Sequence, residues 1–359
     1  MASRMTRSLV LRAGPLARRL IEQDGLTPDS LAALGAPAGG PKFLILTHLD
    51  SFLFRDWLPG RRQPLPAFGS SIGAFRLVAA AHRDPAAAFT RLVDAYCAQR
   101  YDSKPAASEV TQQVRHILHA MLDDADMDHI LAHPWLRLNL ITTRCQGLAA
   151  SRSPGLQALG FGLAFASNLR HRDRLSSRFE RCIFHNGMAA GEVLQPDAFR
   201  THHAALTREN LAAVTLASGT IPLMMDTVRD IPAGPSGAHI DGGMIDYHMD
   251  LPLHDDTAPG ILFIPHYEQR VVPGWFDKGL KRRSPRHVDR MLVLSPSPER
   301  VARLPGGKIP CRKDFKHYHQ RDDERLHAWQ AGIAVSREIA EEFAELLESG
   351  RIAEALQPL

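Results

Sequence analysis

A serine set between glycines at Gly69-Ser70-Ser71-Ile72-Gly73 and an aspartate followed by two glycines at Asp241-Gly242-Gly243 are residues that could carry acyl chemistry. Read as G-x-S-x-G, the first stretch puts Ser71 on a sharp strand-to-helix turn. Its hydroxyl would then stand near the positive end of the following helix. Such a serine is a candidate nucleophile once a base comes within reach. The second stretch places a carboxylate on a tight turn that another backbone can approach closely. A solvent-facing Asp-Gly hairpin turn has the same residues. A third stretch, Gly35-Ala36-Pro37-Ala38-Gly39-Gly40-Pro41-Lys42-Phe43, offers backbone N–H groups to an anion.

Two anions compete for that glycine loop. A nucleotide phosphate would want G-x-x-x-x-G-K-[ST], and Gly35 to Gly40 has the first spacing. Pro41 stands where the lysine belongs, Lys42 comes one residue late, and no Ser or Thr follows to hold magnesium. The oxyanion of an acyl-transfer intermediate needs only free N–H groups at Gly39 and Gly40. No cofactor motif is complete elsewhere. Asp124, Asp126 and Asp128 have the opening spacing of a calcium loop, but His129 replaces its glycine and Trp135 its closing glutamate, leaving a solvated acidic turn. His317, His319 and His327 lack the spacing of a metal site.

The elements that must position these residues follow from periodicity. The first twenty residues, rich in arginine, read as an amphipathic helix with Leu9, Leu16, Leu20 and Ile21 inward, so residues 1–29 form an N-terminal helical segment. Ser30 to Leu34 is a short strand, and Phe43 to Leu53 a helix. Leu65 to Phe68 leads into the serine turn, and Ala74 to His82 is helical. Pro85 to Tyr101 and Gln112 to Leu122 are further helices. Trp135 to Thr143, Phe179 to Phe184, Ile261 to Ile264 and Met291 to Leu294 are strands. The chain closes on a long amphipathic helix, Asp323 to Ser349, stopped at Gly350.

With 359 residues, 44% hydrophobic and 23% charged, the chain can build one large α/β domain. A net charge of +4 gives no nucleic-acid signature. Four scattered cysteines form neither a disulfide framework nor a zinc pattern, which points to a reducing, cytoplasmic setting. No apolar run reaches the ~20 residues that span a bilayer. The apolar segment Leu156 to Phe165 is followed by Arg170, Arg172 and Arg174. That pairing suits peripheral contact with an anionic membrane, or a buried helix followed by a solvated charge run.

Taken in order, these stretches resemble the patatin-like phospholipase family: a glycine-rich oxyanion loop, then G-x-S-x-G, then a distant D-G-[GA]. Ala217-Ser218-Gly219-Thr220-Ile221-Pro222 is similar to the family's A-S-x-x-I-P segment. The likeness runs from about Ser30 to Pro252. It implies a catalytic domain over 30–252, built as a mainly parallel sheet sandwiched by helices, with 253–359 an extension packed on it. It also implies a lipid acyl hydrolase of phospholipase A or carboxylesterase type that needs no cofactor and acts on a lipid or ester substrate. Ser71 would attack the ester and Asp241 would take its proton directly, with Gly39, Gly40 and Lys42 at the oxyanion hole and Gly69, Gly73, Gly242 and Gly243 shaping the turns. The loop departs from the family's G-G-G-x-[RK]-G, with Ala38 at the first glycine and Phe43 at the last.

Two rivals stay open. An α/β-hydrolase triad would add a histidine after the aspartate, and His248, His254, His266 and His287 are available. A lipid-binding module could keep the fold without the chemistry.

Overall fold

The computed structural model describes residues 7–101, 105–187, 192–254 and 260–359. Its first half runs β1 (Leu9–Ala13), α1 (Pro15–Asp24), β2 (Leu31–Ala36), α2 (Thr47–Phe52), β3 (Leu65–Ser70), α3 (Ile72–Ala80), α4 (Pro85–Cys97), α5 (Ala107–Met121), α6 (Asp124–Leu131) and β4 (Leu136–Cys145). Then come α7 (Pro154–Arg170), β5 (Phe179–His185), β6 (Thr201–Ala205), α8 (Leu211–Ser218), β7 (Val228–Arg229), β8 (Ala238–Asp241), β9 (Ile261–Pro265) and β10 (Met291–Pro296). The chain ends with α9 (Pro298–Val301), α10 (Lys313–His317), α11 (Asp322–Glu348), α12 (Ile352–Ala355) and β11 (Leu356–Pro358).

The strands make one α/β sheet in the order β11-β1-β10-β9-β2-β3-β4-β5-β6, with β8 and β7 attached through β4. It is mainly parallel; β1 against β10, β4 against β5 and β8, and β7 against β8 are the antiparallel pairs. Central strands buried on both faces read as apolar runs, as Ile261-Leu262-Phe263-Ile264 does. Alternate residues enter different cores. Phe263 lies in the core that holds Leu49, Phe89 and Phe343 of the helices and stacks on Phe343, whereas Leu262 and Ile264 lie in the core that holds Met249, Leu251 and Val271 of irregular segments. One face is therefore covered by helices, and the other by loops and α7.

Four expectations are corrected. Residues 9–13 are a strand, because Leu9 and Leu11 are buried inside the sheet between β10 and β11; a run this short does not distinguish helix from strand by periodicity. The region after 252 is no appendage: β9 and β10 are interior strands and β11 is an edge strand, so the long α11 is not the last element. Asp124 to Asp128 lie in α6 rather than in a turn, with Asp126 on His82 and Asp128 on Arg208. Arg172 is buried against Asp277 and bonds the Ile245 carbonyl, so it does not stand with exposed Arg170 and Arg174.

Sheet register brings the chemistry together. β4 pairs with β5 along one edge over Asn139 to Cys145. On its other edge β3 runs parallel to it and stops with Ser70 opposite Ile141. β8 comes from the opposite direction on that same edge and stops with Asp241 opposite Thr142. Two strands thus meet end to end in one lane, which sets Ser71, the residue just past β3, beside Asp241, the last residue of β8.

Candidate active site

Ser71 adopts φ 55°, ψ −130°, a conformation that costs a non-glycine residue on the order of 1–3 kcal/mol. The strain sits on the serine itself. Gly69 and Gly73 have ordinary φ and supply room instead: a Cβ on Gly73 would stand 1.9 Å from the Ala36 carbonyl oxygen, where α3 crosses the end of β2. Gly242 does the same for the aspartate turn, since a Cβ there would come within 2.2 Å of the Ile141 oxygen. On the far side of the turn, α3 is fastened by Arg76, whose guanidinium makes two 2.7 Å bonds to buried Asp50 of α2.

The Ser71 hydroxyl donates to Asp241 Oδ2 at 2.7 Å, and the Gly243 N–H donates to Asp241 Oδ1 at 2.8 Å. Burial raises the Asp241 pKa above the usual carboxylate value, opposed by the Arg312 charge, the Ser71 hydrogen bond and the Gly243 N–H. The segment Ala217 to Pro222 supports both partners. Ser218 Oγ accepts from the Ser71 N–H at 3.0 Å and donates to the Ile141 carbonyl at 2.7 Å. The Thr220 carbonyl accepts from the Asp241 N–H at 2.9 Å.

No histidine stands between serine and carboxylate. His248 Nδ1 accepts from the Val272 N–H at 3.0 Å, which leaves its Nε2–H to donate to the Tyr267 hydroxyl at 2.6 Å. His266 Nδ1 accepts from the Glu268 N–H at 2.8 Å, and its ring packs edge-on to His248. His287 pairs with Asp250, and the His254 N–H bonds the Val193 carbonyl.

In the glycine loop, Gly40 lines the same cavity as Ser71. No backbone carbonyl of the described residues accepts from the Gly39 or Gly40 N–H. Lys42 lies elsewhere: its ammonium contacts Glu268 and sits 4.6 Å from the centre of the Tyr267 ring, outside the serine's cavity. Tyr267 does the work of shaping the loop. Its hydroxyl donates to the Ala38 carbonyl, and its ring fills the space beside Gly39, where a Cβ would stand 2.5 Å from it. Val272, His248, Tyr267 and Ala38 form one hydrogen-bonded chain under the glycine loop.

That chain has a testable consequence. Tyr267→Phe keeps the ring but frees the Ala38 carbonyl, so the loop's N–H groups lose their fixed aim. For a loop that stabilises an oxyanion, kcat on a soluble ester should fall about tenfold with KM within about twofold. A raised KM at unchanged kcat would instead assign Tyr267 to ground-state binding.

The cavity holding Ser71 has a volume of about 740 Å³, within the usual range for small-molecule sites. Ile72, Phe75, Val110, Val114 and Ile117 make one apolar wall, and Arg312 and Lys316 a cationic one. Sequence reading missed Ser218, Tyr267 and Arg312. Only Ser218 had a local signal, the A-S-x-x-I-P likeness; the other two lie beyond the region where any motif is recognisable. Comparison of the chain with protein-family models, with curated proteins and with solved structures gives no match. The fold and the site together define a serine–carboxylate pair on an α/β strand-to-helix turn.

Proposed function

We propose that the chain is a lipid acyl hydrolase of patatin-like type, cleaving fatty-acyl esters through a Ser71 acyl-enzyme. The observation that carries this reading is the 2.7 Å hydrogen bond from Ser71 Oγ to Asp241 Oδ2. Ser71 Oγ attacks the acyl carbonyl as its proton passes to Asp241. N–H groups of Gly39 and Gly40 stabilise the oxyanion, an effect of about 3–4 kcal/mol for a single donor. Collapse breaks the C–O bond to the alcohol, which leaves with the proton from Asp241. Water then attacks the acyl-enzyme, Asp241 takes its proton and returns it to Ser71, and the fatty acid departs.

The cavity suits such a substrate. Its apolar wall matches an acyl chain, and its cations match an anionic group on the alcohol side, which favours a phospholipid over a neutral glyceride. Arg312 is the cation nearest the chemistry: a Cβ on Gly40 would lie 2.9 Å from its Nε. Among the described residues no carboxylate forms a salt bridge with Arg312, which shares the space beside Gly40 with the Tyr96 hydroxyl. Fatty-acid release from phospholipid, monoacylglycerol and p-nitrophenyl ester, each with wild type and Ser71→Ala, tests the reading. Serine-dependent release from phospholipid is expected, and no release from any of the three would overturn it.

Arg312→Ala refines the test. A charge-assisted hydrogen bond contributes about 1.5–3 kcal/mol, so KM for a lysophospholipid should rise about tenfold or more. KM for the matching monoacylglycerol should change less than about twofold. Equal effects on both esters would remove Arg312 from headgroup recognition. The comparison belongs at pH 8, because loss of the arginine charge also raises the Asp241 pKa further.

A further inference from the structure

α7 is amphipathic in the reverse of the usual sense. Its inner stripe is Gln157, Gly160, Phe161, Ala164 and Asn168. Gln157 Nε2 donates to Thr227 Oγ1 at 3.1 Å, and Asn168 Nδ2 to buried Asp277 Oδ1 at 2.8 Å. Gly160 lets the helix lie directly on the backbone of Ala149, where a Cβ would come within 2.4 Å of its nitrogen. These contacts fix the rotation of the helix with its amides inward. Leu156, Leu159, Leu163, Phe165 and Leu169 are left outward, each 39–52% exposed.

The patch continues beyond the helix. Leu148 lies just before it, and Trp275 joins through Phe276, whose ring packs on both Phe165 and Trp275. Among the described residues, the other exposed large hydrophobics are Leu223 and Met224. Met224 lines the Ser71 cavity, and its segment is tied to α7 by the Gln157–Thr227 bond. Exposed apolar residues thus occur both on α7 and at the cavity that holds Ser71. No helix of the described residues is long and apolar enough to cross a membrane.

Charge decides what covers this face. α7 carries no acidic residue. Exposed Arg170 ends it, exposed Arg282 bonds the Leu169 carbonyl, and Lys278 stands over the Trp275 ring. The carboxylates nearest in sequence to this rim are already taken, Asp173 by Arg286 and Asp277 by Arg172 and Arg283. Two copies of the face would bring cations against cations. An anionic lipid surface meets both the leucines and the cations, with an interfacial helix sinking about 5–10 Å into the headgroup boundary. We propose that the outer face of α7, with Leu148 and Trp275, seats the protein on an anionic bilayer. This docking does not depend on the chemistry of Ser71.

Sedimentation with vesicles of ether-linked phosphatidylcholine, with and without ether-linked phosphatidylglycerol, reads binding alone, since these lipids have no acyl ester to cleave. Wild type should sediment with the anionic vesicles and be released by high salt. Leu159→Ser/Leu163→Ser should weaken partition about a hundredfold, from two leucines no longer buried. Arg170→Glu/Arg282→Glu should weaken it about tenfold or more. Circular dichroism checks that each variant is folded. The proposal falls if wild type ignores anionic vesicles, or if the double leucine variant sediments as wild type does. It falls equally if wild type is a dimer that the leucine variant turns into a monomer, because a second copy would then be the occupant.

Discussion

Ser71→Ala is expected to reduce kcat/KM on a soluble ester to background, a loss of about 10⁴-fold or more. The hydroxyl is the atom that bonds to the acyl group in the proposed reaction, and nothing nearby replaces it. Its neighbour is a built-in control. Ser70 Oγ is buried and donates to the Asp246 carbonyl at 2.7 Å, away from Asp241. Ser70→Ala should therefore cost about 1 kcal/mol of stability through one lost hydrogen bond and leave kcat/KM within a few-fold. A dead Ser70 variant beside an active Ser71 variant would put the nucleophile one residue earlier. Thermal melts separate the two effects, because Ser71→Ala also relieves none of the backbone strain and should leave the fold intact.

Asp241→Asn is expected to lower kcat/KM about 10³–10⁴-fold while preserving the geometry. The amide oxygen can still accept from the Gly243 N–H, but its NH₂ now faces Ser71 and cannot take a proton. The pH profile carries the same claim with a definite sign. The base must be ionised to act, and burial raises its pKa, so wild-type activity should rise with pH through an apparent pKa above the ordinary aspartate value of about 3.9. Stability runs the other way. A carboxyl whose pKa is raised on folding destabilises the native state above that pKa, and the penalty vanishes as pH falls below the unfolded value. Asp241→Asn removes the penalty, so its melting temperature at neutral pH should be no lower than that of wild type. An inactive variant with a depressed melting temperature would indicate a structural aspartate.

The sequence displays what is local. The turn at Ser71 is legible because glycine spacing, an apolar strand and a helix sit within about twenty residues; β3, β9 and β10 announce themselves as apolar runs, β4 by its alternation and β2 as a short strand. Asp241 is legible only through its Asp-Gly-Gly signature and the likeness to a family. Its meeting with Ser71 spans 170 positions and is fixed by register, with both strands ending beside Ile141 and Thr142 of β4. Tyr267 carries no mark in the sequence; its role arises because β9 ends beside the glycine loop. β1 is ambiguous for a physical reason, since five residues buried on both faces have no period to read. The glycines of the serine turn are a subtler case. Their positions are visible, but their reason is close packing, and the strained dihedral falls on the serine.

The central claim is that Ser71 is activated by Asp241 alone, and fluorophosphonate labelling with mass mapping of the labelled peptide tests it most directly. The account predicts one label, on Ser71, lost in Asp241→Asn and retained in His248→Ala, His254→Ala, His266→Ala and His287→Ala when each is folded. The same histidine variants should keep at least about a tenth of wild-type kcat/KM, a loss near 1.4 kcal/mol. A label on another residue, a folded histidine variant that no longer labels, or a wild type that stays unlabelled would contradict it.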